Sequence, residues 1–214
     1  MDIYWYGQAC FKIKGKNATV VVDPYDSEFT GLKLPKDLDG DIVLITHEHR
    51  DHSNGAGVVG EPKIFTRPGE YESKGVIISG ISSDHDSAEG KERGKNTIYC
   101  LLMDGLNIVH MGDFGQTKLS EEQVQLINET DILLIPVGGI FTIDSKGAAE
   151  IISQLEPKII IPMHYKTPGL KFELEGIEGF LKEMGAENVL VQPKLSITKE
   201  KLPEEPMVVV LNKT

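Results

Sequence analysis

Four potential metal ligands lie within six residues of this chain: His47, His49, Asp51 and His52. They follow the apolar run DIVLIT at residues 41–46, which is typical of a buried strand. Side chains two residues apart on extended chain point to the same side, so His47 and His49 can converge on one cation. Asp51 and His52 follow at the point where the chain must turn, so their side chains can face a second cation position close to the first. Imidazole and carboxylate ligands suit zinc, manganese or iron. The alternative interpretation is a polar surface loop.

Three further candidate ligands follow other apolar runs: His85, Asp113 and His164. Together with the first four, they give seven candidates at the ends of four apolar segments. That number is enough for two metal ions that share one bridging carboxylate. Either of the two neighbours of His85, Asp84 or Asp86, could act as the ligand in its place.

The sixth histidine, His110, lies three residues before Asp113. On a straight strand its side chain points away from the side of Asp113. We therefore expect His110 to support the ligating groups from behind rather than to bind a metal itself.

The elements that must position these residues are strands and helices in alternation, without a linker. A capping box, Ser120 with Gln123, predicts the start of one helix, and Asp104-Gly105 predicts a hairpin turn. The first half is rich in strands, and the second half alternates strand and helix. This pattern predicts two central sheets with outer helices in one domain spanning residues 1–214. The predicted segments include two strands around the turn at residues 14–17, helices within 120–129, 145–157 and 176–185, and strands within 131–139, 158–165 and 188–193.

The charge of the chain limits its partners. Its formal net charge is −11, from 22 Lys and Arg against 33 Asp and Glu, which disfavours nucleic acid as the main partner. No apolar run reaches the roughly 18–20 residues of a membrane span, and the N-terminus does not resemble a signal peptide. Cys10 and Cys100 are expected to be buried thiols in a reducing compartment. The expected location is the cytoplasm, and the oligomeric state stays open.

The order of these motifs resembles the metallo-β-lactamase superfamily, whose hallmark is H-x-H-x-D-H after a buried strand. The match runs from His47-Glu48-His49-Arg50-Asp51-His52 through His85 and Gly112-Asp113 to His164. The segments at residues 94–115 and 131–168 resemble the compact zinc-dependent hydrolase branch, which is similar to L-ascorbate-6-phosphate lactonase. The resemblance implies an α/β (α+β) fold, a four-layer αββα sandwich with metals at one edge between the sheets.

The resemblance also implies roles for single residues. His47, His49 and His85 would hold a first metal ion, while Asp51, His52 and His164 would hold a second. Asp113 would bridge the two ions. Zinc is expected, with manganese or iron as alternatives. The implied activity is that of a metal-dependent hydrolase using a hydroxide bound by two metals, with Asp51 as a catalytic proton acceptor.

We expect a small substrate, an anionic ester, lactone or phosphoester. Three cations near the motifs, Arg93, Lys95 and Lys166, are candidates for holding its anionic group. The loop at residues 138–142 is expected to form a wall of the pocket. The alternatives are a metal-dependent nuclease or phosphodiesterase, and a catalytically silent module that binds metal or an anion.

Overall fold

The computed structural model describes all residues of the chain, 1–214. Its strands are β1 (Asp2–Gly7), β2 (Cys10–Lys14), β3 (Thr19–Val22), β4 (Ile42–Leu44), β5 (Lys63–Phe65), β6 (Gly69–Ser73), β7 (Val76–Asp84), β8 (Lys95–Met103), β9 (Leu106–His110), β10 (Ile132–Pro136), β11 (Ile159–Met163), β12 (Leu195–Ser196) and β13 (Met207–Val208). Its α-helices are α1 (Ser27–Thr30), α2 (Glu121–Ile127), α3 (Ser145–Leu155) and α4 (Glu178–Glu183). No helix is long and apolar enough to span a bilayer.

The strands form two sheets, as the sequence predicts. The first sheet has the order β12-β1-β2-β3-β4-β5, and the second has the order β13-β11-β10-β9-β8-β7-β6. Both are mixed: β3 and β4 pair in parallel, as do β9, β10 and β11, while the hairpins are antiparallel. The αββα sandwich expected for the fold is confirmed.

The main hydrophobic core lies between the two sheets and takes residues from both. Phe11 and Leu44 of the first sheet belong to the same cluster as Leu133 and Ile161 of the second, and all four are at most 1% exposed. Helix α3 adds a buried apolar stripe, including Ile151, to this cluster. The all-apolar strands β10 and β11 are buried along their whole length, which is typical of parallel strands covered on both faces.

This arrangement brings polar residues to one edge of the sandwich. Strands β3 and β4 run parallel, so Asp23 and His47 both follow carboxyl ends in the first sheet. In the second sheet, β9 and β11 run in the same direction and are followed by Asp113 and His164. Strand β7 is antiparallel to β8, which is antiparallel to β9, so β7 runs in the same direction as β9. His85 follows the carboxyl end of β7.

Two predictions of single elements are wrong. The first strand predicted before the turn at residues 14–17 is two strands, because the chain reverses at Gly7-Gln8, where φ is 100° and 50°. Residues 188–193 form no strand: Leu190 is 82% exposed there, and Gln192 makes only an isolated bridge to Leu211. The hairpin at Asp104-Gly105 and the capping box of α2 are confirmed.

The core makes a direct prediction about stability. We expect Leu133→Ala to lower the free energy of unfolding by about 2–5 kcal/mol, because the fully buried side chain would leave a cavity between packed layers. Leu190→Ala, on the exposed segment, should change it by less than about 0.5 kcal/mol. Urea unfolding followed by circular dichroism measures both values, and equal effects would contradict this description of the core.

Candidate metal centre

The seven candidate ligands converge at the edge between the two sheets. Their ligand atoms form two groups, each with all atoms within 4.8 Å of one another. The first group is His47, His49 and His85, and the second is Asp51, His52, Asp113 and His164. The partition is the one expected from the resemblance, with Asp113 in the second group.

Asp113 lies at the centre of the whole arrangement. Its Oδ2 is 3.1 Å from Nε2 of His52, and 3.3 Å from Nε2 of both His85 and His164. Nε2 of His47 lies 3.9 Å from the same oxygen. One carboxylate oxygen thus faces imidazoles of both groups, which is the placement that a bridging ligand needs.

The turn that carries Asp113 is tightly held. The side-chain amide of Asn96 accepts the backbone N–H of Asp113 at 3.0 Å and donates to the carbonyl of Met111 at 2.8 Å. Gly112 has a φ of 58°, and a Cβ there would lie 2.8 Å from Cβ of Thr46. Only glycine fits this position without displacing Thr46, the residue directly before the histidine motif.

Asp23 orients two of the imidazoles. Its Oδ2 accepts Nδ1–H of His52 at 2.9 Å and the hydroxyl of Thr46 at 2.7 Å, while its Oδ1 accepts the backbone N–H of Thr46. Because the Thr46 hydroxyl gives its proton to Asp23, it can only accept from Nδ1 of His47, 3.0 Å away. Both imidazoles therefore carry a proton on Nδ1 and direct Nε2 towards the centre.

His85, rather than a neighbouring aspartate, completes the first group. Asp86 points back into its own loop, where it accepts backbone N–H groups of Ala88, Gly90, Glu92 and Arg93. Burial alone would raise the pKa of Asp86, but these four donors lower it to about 2.

The other alternative, Asp84, is also occupied elsewhere. Its carboxylate pairs with the ammonium group of Lys95. Neither aspartate therefore faces the imidazoles of His47 and His49.

The electrostatics of the centre fit divalent cations. Burial lowers the pKa of His47 to about 2, and the nearby His52 adds to this effect, so His47 is neutral and able to ligate at pH 7. Burial alone would lower the pKa of His52, but Asp113, Asp51 and Asp23 raise it well above its ordinary value. Oδ1 of Asp113 is buried without a hydrogen-bond partner. Nε2 of His52 lies 3.1 Å from Oδ2 of Asp113 but without the geometry of a hydrogen bond. Buried carboxylates with free acceptor atoms are the donor set that a divalent cation satisfies.

Gln8 is a residue of this centre that the sequence analysis missed. Its fully buried side-chain Nε2 lies 3.3 Å from Oδ2 of Asp51 and 3.1 Å from Nε2 of His164. Its backbone carbonyl accepts the indole N–H of Trp5 and the backbone N–H of His164. The available signal was Gly7, since a glycine within a strand pattern often marks a bend.

His110 is placed behind the centre and is not among the grouped ligand atoms. Its Nε2 donates to the carbonyl of Ala9 at 2.8 Å, and its Nδ1 accepts the backbone N–H of Gly112 at 3.1 Å. It is fully buried, and burial lowers its pKa. His110 therefore joins the turn that carries Gln8 to the turn that carries Asp113.

A cavity of about 540 Å³ opens onto the metal centre. Of the three cations expected to hold an anion, the structure places only Arg93 in its lining. The loop at residues 138–142, expected to form a wall, contributes Phe141 to the lining. The sequence analysis missed the other lining side chains outside the ligand set, which are Glu48, Arg50, Phe29 and Phe172.

The expectations for Lys95 and Lys166 need correction. The ammonium group of Lys95 pairs with Asp84. That of Lys166 donates to the carbonyls of Leu170 and Phe172 and pairs with Glu173. Neither lysine lines the cavity of about 540 Å³. Lys95 instead lines a second cavity, of about 450 Å³, together with His47 and His49.

The role of Asp23 can be tested by metal binding. We expect Asp23→Asn to weaken zinc binding about 10–100-fold, because the loss of an orienting carboxylate leaves His47 and His52 less well placed. Competition with a chromophoric chelator measures the affinity, and circular dichroism checks the fold. Asp131→Asn is the matched control, since Asp131 is a buried aspartate paired with Lys199 outside this centre. Equal zinc affinity in the two variants would contradict the assigned role.

Comparisons with known proteins identify the family of the chain. Residues 2–164 match the family model of the beta-lactamase superfamily domain. A UPF0173 metal-dependent hydrolase from Thermoplasma acidophilum is 32% identical over 192 residues, covering 78% of this chain and 84% of that protein. A UPF0173 protein from Pyrococcus abyssi is 30% identical over 91% of this chain and 95% of its own length.

A solved structure extends the agreement to almost the whole chain. It is a Thermotoga maritima protein assigned to the Zn-dependent hydrolases of the metallo-beta-lactamase superfamily. It is 35% identical, with a TM-score of 0.79, and the alignment covers 98% of this chain and 97% of that one. The chain thus belongs to the metallo-β-lactamase superfamily and is a metal-dependent hydrolase.

Proposed function

We propose that this protein hydrolyses a small anionic ester, lactone or phosphoester with two divalent cations, zinc being the expected metal. The observation that carries the proposal is the placement of Asp113, whose Oδ2 faces imidazoles of both ligand groups. One ion would be held by His47, His49 and His85, and the other by Asp51, His52 and His164. Asp113 would be shared.

Bound at these residues, two such cations would supply an activated water near neutral pH and would polarise the carbonyl or phosphoryl group under attack. The chain itself supplies the remaining functions. Asp51 belongs to the second ligand group and also lines the cavity, so its ionised carboxylate is our candidate for the proton acceptor. Gln8 holds that carboxylate from the buried side.

The charge distribution supports a small substrate over a nucleic acid. With a net charge of −11, the chain repels a long polyanion, whose phosphate contacts normally provide most of the affinity. The cavity of about 540 Å³ lies within the ordinary range for small-molecule sites. A catalytically silent module is disfavoured because all seven candidate ligands converge.

The proposal predicts the number of metal ions. We expect a zinc-loaded sample to contain two ions per chain, and Asp113→Ala to contain one or fewer, because each ion would lose the shared carboxylate. Elemental analysis by mass spectrometry after removal of free metal measures this ratio. At most one ion in the wild-type protein, with unchanged loading of Asp113→Ala, would overturn the two-metal assignment.

The proposal also predicts activity. We expect hydrolysis within a panel of carboxylic esters, lactones and phosphodiesters to be lost with a chelator and regained with zinc. Asp51→Asn should lower kcat about 10²–10⁴-fold if Asp51 accepts the proton. Asp39→Asn, an exposed aspartate paired with Lys12, is the matched control. Metal-dependent cleavage of single-stranded RNA without turnover of any small ester would favour a nuclease, and metal binding without any turnover would favour the silent module.

A further inference from the structure

Three phenylalanine rings form one wall at the mouth of the cavity. Phe29 comes from α1, Phe141 from the loop between β10 and α3, and Phe172 from the loop after β11. Ring centroids are 5.8 Å apart between Phe29 and Phe172, and 6.3 Å apart between Phe141 and Phe172. Phe29 is 40% exposed and Phe141 is 36% exposed. A contiguous apolar surface left open to solvent next to a metal centre is a feature of ligand-binding sites.

An arginine lies over each end of this wall. The guanidinium carbon of Arg50 is 5.2 Å from the ring centroid of Phe29, and that of Arg93 is 5.7 Å from the ring centroid of Phe141. Such cation–π contacts hold the guanidinium group close to the ring while leaving its N–H groups free to donate.

The two arginines differ in whether their guanidinium group is already paired with a carboxylate. Arg50 donates from Nε to Asp26 at 3.2 Å and pairs with the same oxygen through a second nitrogen. Asp26 therefore already neutralises Arg50. The nearest carboxylate to Arg93 is that of Glu92, at 3.7 Å from Nη1, which is too far for a hydrogen bond. Arg93 is therefore the cation of this wall that can accept a new anionic partner.

The loops of the wall are fixed in place without a ligand. Asp86 accepts the backbone N–H of Arg93 at 2.8 Å, so the loop position does not depend on the arginine side chain. Lys166 donates to the carbonyl of Phe172 at 2.8 Å and thereby holds the second loop. A preformed wall reduces the ordering cost of binding.

We propose that the substrate carries an aromatic ring and an anionic group on either side of the scissile bond. The ring packs on Phe29, Phe141 and Phe172, and the anionic group pairs with Arg93. This inference rests on the proposed hydrolytic function and narrows its substrate class. Aromatic pairs favour centroid separations of about 4.5–7 Å, the range already found within the wall, and a rigid ring loses less freedom on binding than an alkyl chain.

Three matched esters test the proposal with the zinc-loaded protein. Benzyl hemisuccinate carries both features, n-butyl hemisuccinate lacks the ring, and benzyl butanoate lacks the carboxylate. We expect benzyl hemisuccinate to have the highest kcat/KM, and Arg93→Ala to raise its KM roughly tenfold with a smaller effect on benzyl butanoate. Phe141→Ala should raise KM for the two benzyl esters roughly three- to tenfold and leave the butyl ester nearly unchanged. Arg67→Gln, an exposed arginine that does not line the cavity, is the control.

Calorimetric titration with N-benzylsuccinamate, the amide counterpart of the first ester, separates binding from turnover. Binding that weakens in Arg93→Ala and in Phe141→Ala supports the inference even if none of the three esters is cleaved, a result that would exclude only carboxylic esters from the proposed reaction. Cleavage of all three esters at equal kcat/KM, or the same KM in wild type, Arg93→Ala and Phe141→Ala, would overturn the inference and leave the hydrolase standing. A preference for the butyl ester would overturn the inference, because the proposed substrate carries an aromatic ring.

Discussion

Three buried carboxylates, those of Asp23, Asp51 and Asp113, lie among the imidazoles of the candidate metal centre. The surrounding residues determine how far the free-energy cost of burying each charge is compensated. Each is at most 9% exposed, and an unpaired buried charge costs several kcal/mol. Asp23 is compensated by three donors from Thr46 and His52. Asp113 keeps one buried oxygen without a partner. Asp23, whose carboxylate is hydrogen-bonded by three donors, can orient ligands, whereas Asp113, which keeps a free oxygen, can bind a metal ion.

The fold concentrates these charges without exposing them, because it places the carboxyl ends of several parallel strands at one edge. A strand end is where backbone pairing stops and a polar side chain can turn inward without breaking a ladder. His47 follows a strand of the first sheet, whereas His85 and His164 follow strands of the second. The core between the sheets therefore fixes the distance between ligand groups that are far apart in the chain. Gln8 and His110 strengthen the junction, since each joins a turn of the first sheet to a turn of the second.

The sequence was most informative where the chemistry is local. The spacing of the histidine motif and the positions of His85, Asp113 and His164 after apolar runs were sufficient to name the candidate ligands. Their division into two groups was implied by the resemblance to the metallo-β-lactamase superfamily. The contribution of Gln8 was not predictable in the same way, because Gln8 belongs to no ligand motif and its contacts with Asp51 and His164 depend on the chain reversal at Gly7-Gln8. The lysines show the converse error. Lys95 and Lys166 were assigned by proximity in the chain, but charge alone does not show which acceptor a flexible side chain will choose.

The metal centre and the wall of the cavity are built from different parts of the fold, and this division has a consequence for specificity. The ligands follow strands anchored in the core, whereas Phe29, Phe141 and Phe172 belong to a short helix and two loops at the rim. Loop residues can change with little effect on strand packing. Substitutions at the rim can therefore alter which substrate is held while the ligand geometry stays intact. Lys166 stabilises the rim, because its ammonium group donates to the backbone carbonyl of Phe172 and so helps to position that ring. It does so from outside the lining of the cavity.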